Sequence, residues 1–193
     1  MKPGKEEKSR RIRCFVGIAY RPSKEFNKFV QSLAQLNASE SSRLRMTDDE
    51  NLHITLKFLG SVEETHLAVI ENTLQQIATR HKPLGLGLRG IGKFKNSIWV
   101  GAETTPELLA LVAELNMAFA TLGISQAEDK YVPHITVARY KQLDEGHFAK
   151  LKTAFGSERF EEFNAPTITL FRSNTLPEGA RYTSIADFKL GKT

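Results

Sequence analysis

The chain has 193 residues, 40% of them apolar and 25% charged, with a net charge of +5 and one cysteine, Cys14. These values fit one ordinary globular unit and leave no internal disulfide and no thiolate zinc site. No apolar run approaches a bilayer span and Met1–Lys8 lacks a signal-peptide core, so a cytoplasmic protein without membrane contact is expected, its mild positive charge suiting an anionic partner.

Residues 1–10 are charged and carry Pro3 and Gly4, which predicts a flexible N-terminus ahead of a single domain over 11–193. Arg11–Ala19 alternates and then turns apolar, as an inner strand does, and Cys14 within it reads as a buried structural thiol. Pro22-Ser23 opens a helix with Phe26, Phe29, Val30, Leu33 and Leu36 on one stripe, and a short strand follows at Leu44–Met46.

The next strand contains His53-Ile54-Thr55-Leu56-Lys57-Phe58 and is expected to stop at Gly60. Side chains of a strand alternate between faces, so His53 and Thr55 share one face, while Leu52, Ile54, Leu56 and Phe58 share the other. The same parity sets Lys57 beside His53. Ser61 is placed to cap a second helix, with Leu67, Ile70, Leu74 and Ile77 inward and Pro83 ending it.

The segment Leu84–Phe94 matches two phosphate-binding patterns by letter: Gly85-x-Gly87-x-x-Gly90 is a dinucleotide fingerprint, and Gly87-x-x-x-x-Gly92-Lys93 is one residue short of a P-loop. Both require a strand before and a helix after, because the helix N-terminus holds the phosphates. Here a helix precedes and a second strand, Ile98–Gly101, follows, so a glycine-rich hairpin is expected instead.

Thr105-Pro106 starts a third helix lined by Leu108, Leu111, Val112, Leu115 and Phe119, and Gly123 ends it. After an acidic turn at Glu128-Asp129 comes a second motif strand, Pro133-His134-Ile135-Thr136-Val137-Ala138-Arg139. Asp144-Glu145 begins a short helix with Phe148, Leu151 and Phe155 inward, and strands are expected near 158–163, 166–173 and 181–188. The order predicts an α+β class. The repeated motif predicts a bilobal, pseudo-two-fold duplicated fold, with antiparallel sheets lining a central cleft, helices packed outside and one His-x-Thr motif in each of two intimately packed lobes.

Two imidazoles across a cleft suit proton transfer at both ends of a displacement, one acting as acid and the other as base. The two Thr hydroxyls can hold non-bridging phosphate oxygens, where charge gathers during phosphoryl transfer. A phosphodiester uses all four groups. Zinc is the competing use of two His, but no Asp, Glu or Cys recurs beside the motifs as a third ligand, so neither a metal nor a cofactor is expected. His66, His81 and His147 lie on helices or their ends without a repeated partner and are read as surface residues.

The two His-x-Thr strands, the Leu56-Lys57-Phe58-Leu59-Gly60 continuation, Ile98-Trp99-Val100-Gly101 and the Pro133–Arg139 block resemble the two-histidine phosphoesterase superfamily. Within it they are most similar to RNA 2′,3′-cyclic phosphodiesterases, also called 2′-5′ RNA ligases, along most of the chain from Arg11 to Leu190. The resemblance implies a metal-independent hydrolase of RNA processing that opens a 2′,3′-cyclic phosphate end to a 2′-phosphomonoester, with reversible 2′-5′ ligation as a companion reaction. It implies His53 as proton donor and His134 as proton acceptor, with Thr55 and Thr136 on the phosphate. Arg139 matches a phosphate-contacting arginine, although it lies at an odd offset from His134 and would need a bulge or the strand end to share its face. Phe15 matches an aromatic that can stack a terminal base in relatives, with a core ring as the alternative reading, and Lys57 joins them as a substrate contact by parity. The expected partner is RNA with a 2′,3′-cyclic phosphate terminus or a related nucleotide, bound by a monomer. Two alternatives stand beside this: a non-catalytic RNA-end or nucleotide-binding module on the same fold, and a phosphodiesterase of 2′-5′ oligoadenylates or small cyclic nucleotides.

Overall fold

The computed structural model describes residues 10–38, 42–124, 131–176 and 179–191. The expected flexible segment 1–10 lies outside this set except for Arg10, as does the acidic turn at Glu128-Asp129. Nine strands and four α-helices alternate in the mixed manner expected: β1 Arg11–Ala19, α1 Lys24–Ala34, β2 Arg43–Met46, β3 His53–Glu63, α2 Leu67–Ala78, β4 Leu84–Lys93 and β5 Ser97–Ala102. There follow α3 Pro106–Ala120, β6 His134–Gln142, α4 Glu145–Phe155, β7 Arg159–Ala165, β8 Thr167–Leu176 and β9 Gly179–Lys189.

The strands form one antiparallel sheet in the order β7-β4-β5-β6-β3-β1-β8-β9, with β2 added on β6. The two motif strands are therefore neighbours at the centre of the sheet. They share one residue pair among those described, Ile54 with Ile135, and each has three further strands on its outer side. The pseudo-two-fold expected from the repeat is visible in this layout: β3-β1-β8-β9 on one side answers β6-β5-β4-β7 on the other.

Helices cover the apolar face. Helix α2 packs on β8 and β9, α3 on β3 and α2, α4 on β4, and α1 on β7. Ser23 starts α1, its Oγ accepting from the Phe26 N–H at 3.1 Å, and the buried Phe26 and Phe29 then meet Phe155 and Phe160, with the Phe29 and Phe160 ring centroids 4.8 Å apart. Each fully buried ring or branched side chain of this kind contributes about 1.5–3 kcal/mol. At the other end α2 is tied to α3 by Glu114, which accepts from Arg80 Nε at 2.8 Å and meets His81 Nε2 at 2.6 Å. Burial opposes ionisation of Glu114, but the His81 and Arg80 hydrogen bonds outweigh it and hold the carboxyl below its ordinary pKa. His81 is thus packed at a helix junction rather than displayed on the surface, whereas His66 and His147 are exposed as expected.

Two local expectations change. The strand holding His53 does not stop at Gly60: that glycine takes a φ of 74° and β3 continues, pairing with β1 as far as Glu63 opposite Arg11. Ser61 is a strand residue, and α2 begins at Leu67 after a 3-10 turn. The glycine-rich segment is the hairpin strand β4. Gly90, at φ 68°, is the extra residue of a bulge opposite β5, and a Cβ at Gly92 would lie 2.2 Å from the Trp99 ring, so glycine there admits the indole. No described helix is long and apolar enough to cross a membrane.

Candidate active site

His53 and His134 are the first residues of β3 and β6, and each follows a buried residue, Leu52 or Pro133. Both imidazoles are held alike. Nδ1 of His53 is 2.6 Å from the carbonyl oxygen of Asn51, and Nδ1 of His134 is 2.7 Å from that of Val132, the residue two positions earlier in each case. A carbonyl oxygen only accepts, so Nδ1 carries the hydrogen in both rings. In the neutral state this leaves Nε2 with its lone pair available for a reacting proton.

Both rings line one cleft of about 810 Å³, together with Thr55, Thr136, Arg139 and Phe15. Aromatic neighbours fix the imidazoles: Phe15 and Tyr182 lie 4.7 and 4.8 Å from His53, and Phe94 lies 5.0 Å from His134. Two polar ties lock the frame around them. The Asn51 side chain accepts from the Tyr182 N–H at 3.0 Å, and the Tyr131 hydroxyl donates to the Thr55 carbonyl at 3.1 Å, joining the approach to the second motif to the strand of the first.

Burial lowers the pKa of His53 to about 4, assisted by the positive charges of His134 and Arg139 and opposed by the Asn51 hydrogen bond. His134 moves down for the same leading reason, its bond to Val132 opposing and Arg139 assisting. Both rings therefore favour the neutral form more than a free imidazole does.

The odd offset of Arg139 is resolved by a bulge. In the β5–β6 register Ile98 pairs with Ala138 and Trp99 with Thr136, so Val137 is the extra residue, and the strand changes parity in time to bring Arg139 to the face of His134. β3 does the same thing at the same distance from its histidine. Val16 pairs with Lys57 and Gly17 with Thr55, leaving Leu56 extra. Here the change of parity corrects two expectations. Lys57, 5% exposed, joins the buried residues with its pKa lowered by burial and is absent from the cleft lining. Phe58, expected in the core, is 68% exposed and lines the cleft.

Phe15 is in the cleft wall but only 3% exposed, with its ring stacked on Phe171 at 4.9 Å. It supports His53 and offers no free face. The open rings of the cleft are Phe58 and Phe94. Arg45 is a further lining cation, placed by the pairing of β2 with Arg139 of β6 and packed against Gly179, where a Cβ would lie 2.4 Å from its guanidinium. Neither Phe58, Phe94 nor Arg45 follows from strand parity alone. Among the described residues no three His, Cys, Asp or Glu side chains converge as a metal-binding set.

The profile of the 2′-5′ RNA ligase superfamily matches residues 20–175. The chain is 32% identical over 158 residues to an RNA 2′,3′-cyclic phosphodiesterase of Methanothermobacter thermautotrophicus, covering 79% of this chain and 85% of the relative. It is 35% identical over 153 residues to one of Methanocaldococcus jannaschii, covering 75% and 84%. Among solved structures, TT0787 of Thermus thermophilus superposes with a TM-score of 0.76 at 24% identity, over 93% of this chain and 98% of that one. LigT of E. coli in complex with 3′-AMP gives 0.74 at 22% identity, over 95% and 100%; these two likenesses establish a shared fold.

Proposed function

The chain belongs to the 2′-5′ RNA ligase superfamily, and on that premise we propose that it hydrolyses RNA 2′,3′-cyclic phosphate ends to 2′-phosphomonoesters by proton transfer between its two histidines. The observation that carries this reading is the matched pair of imidazoles, each pinned through Nδ1 to a carbonyl two residues earlier and each lining the same cleft. The name borne by relatives from several archaea and bacteria supports the reaction class.

In the proposed reaction a water attacks phosphorus while His134 Nε2 takes its proton. The bond from phosphorus to the 3′ oxygen breaks, and His53, protonated at Nε2, gives that oxygen its proton. The phosphate remains on the 2′ oxygen, His134 ends protonated and His53 neutral, and exchange with solvent resets both. Thr55 and Thr136 donate to the non-bridging oxygens, and Arg139 offsets the charge that accumulates there. Phe58 and Phe94 take the base-stacking role that Phe15, already sandwiched, cannot.

The site's charge sets a pH signature. The productive form has one histidine protonated and one neutral, so its population peaks between the two free-enzyme pKa values, both of which lie below 6.5. A bound phosphodiester brings a negative charge that favours the imidazolium and raises both. The profile of kcat/KM is therefore expected to centre below pH 6.5, with the kcat profile displaced to higher pH. A kcat profile lying acid of kcat/KM would overturn this electrostatic account.

The direct test is hydrolysis of a 2′,3′-cyclic mononucleotide in EDTA, with the product identified by phosphorus NMR. Turnover in chelator with a 2′-phosphate product is expected. Loss of activity to EDTA and its return with a divalent metal would reject the two-histidine chemistry, and binding without turnover would reject the enzyme.

A further inference from the structure

A second concavity, of about 710 Å³, continues from the cleft over β1, β8 and β9 and shares Arg13, Ser173 and Thr175 with it. Five arginines line it: Arg10, Arg11, Arg13, Arg172 and Arg181. We propose that this groove is a track for the phosphodiester backbone of the RNA upstream of the cyclic end, gripping the chain without reading its sequence. The proposal rests on the cleft accepting an RNA 2′,3′-cyclic phosphate.

The charge balance favours a polyanion. Glu63 pairs with Arg11 at 3.3 Å, and Glu64 pairs with Arg172 at 3.0 Å and with Arg10 at 3.6 Å, so among the described residues two carboxylates answer five guanidiniums. Arg13 and Arg181 have no carboxylate partner among the described residues. Arg11 and Arg13 are both exposed and stand two positions apart on β1, about 7 Å along the strand. That step is comparable to the separation of successive phosphates in an extended single strand. Ser173 and Thr175 add hydroxyl donors, while among the described residues Ile12 and Leu176 are the apolar members of the lining and no aromatic ring belongs to it. Without rings to stack bases, the groove can hold the backbone by charge alone. Because Arg13 stands in both concavities, a chain whose cyclic phosphate sits between the histidines leaves the cleft directly onto this row.

The test compares a 2′,3′-cyclic mononucleotide with an oligoribonucleotide of about ten residues carrying the same end, a length within the usual single-strand site size. Wild type is expected to show a lower KM for the oligonucleotide, rising with salt. The Arg11→Ser, Arg181→Ser double variant should raise that KM several-fold and flatten its log–log salt dependence by about 1.4, at about 0.7 per lost phosphate contact on a single strand. It should leave mononucleotide turnover within about twofold, since neither residue lines the cleft. The Arg11→Lys, Arg181→Lys variant keeps the charge and should keep the slope. An unchanged oligonucleotide KM and slope in the Ser variant, or an equal loss on both substrates, overturns the track. Absence of mononucleotide turnover by wild type instead defeats the reaction assigned to the cleft, so the two failures are distinguishable.

Discussion

Replacing His53 or His134 by Asn is expected to lower kcat by about 10²- to 10⁴-fold, the range supplied by a positioned acid or base. Asn is the informative substitution. Its amide can still donate to the carbonyl of Asn51 or Val132, so the backbone group that each Nδ1 now satisfies is not abandoned. It also keeps more of the volume facing Phe15 and Tyr182 than Ala would. In the proposed reaction the two histidines serve one displacement, so the double variant should fall little below either single one. Circular dichroism and a thermal melt control for folding. A folded variant that retains more than about a tenth of the activity would remove that histidine from the proton path.

The second large loss is expected for Arg139→Ala, about 10²-fold in kcat/KM, the scale of a single charge-stabilising donor at a reacting oxyanion. Arg139 also presses the pKa of both histidines downward. Its removal relieves that pressure, so the kcat/KM profile should move to higher pH while its height falls. Arg139→Lys keeps the charge without the planar fork and should restore the pH profile more fully than the rate. A loss of rate with no alkaline movement would place Arg139 outside the electrostatic circle of the histidines.

The strand parity of His53-x-Thr55 and His134-x-Thr136 was readable because alternation is local: it needs only the residues themselves. The helices α1 and α3 were readable for the same reason, since Ser23 and Thr105 cap within their own first turns. What parity could not carry is a bulge, which is defined by the register of a partner strand far away in the chain. Leu56 is extra only relative to Val16 and Gly17, and Val137 only relative to Ile98 and Trp99. Hence Lys57 and Phe58 exchange faces, while Arg139 comes to the side of His134. Arg45 escaped for a related reason: its station depends on β2 pairing with β6. Ser61 looked like a cap because the apolar stripe from Leu67 to Ile77 follows it, but pairing with β1 held the strand through Glu63.

The matched bulges have a consequence for how a duplicated frame handles an unsymmetrical molecule. Five residues beyond each histidine the chain comes to an equivalent station, and the two stations are occupied by different chemistries, the Phe58 ring on one side and the Arg139 guanidinium on the other. A substrate with two identical ends would be served by the same residue twice. A nucleotide terminus is flat and uncharged at its base and anionic at its phosphoryl group, so it can enter such a cleft usefully in one sense only. In the proposed reaction this broken equivalence sets the polarity of the bound chain, while the backbone that carries it keeps its two-fold plan.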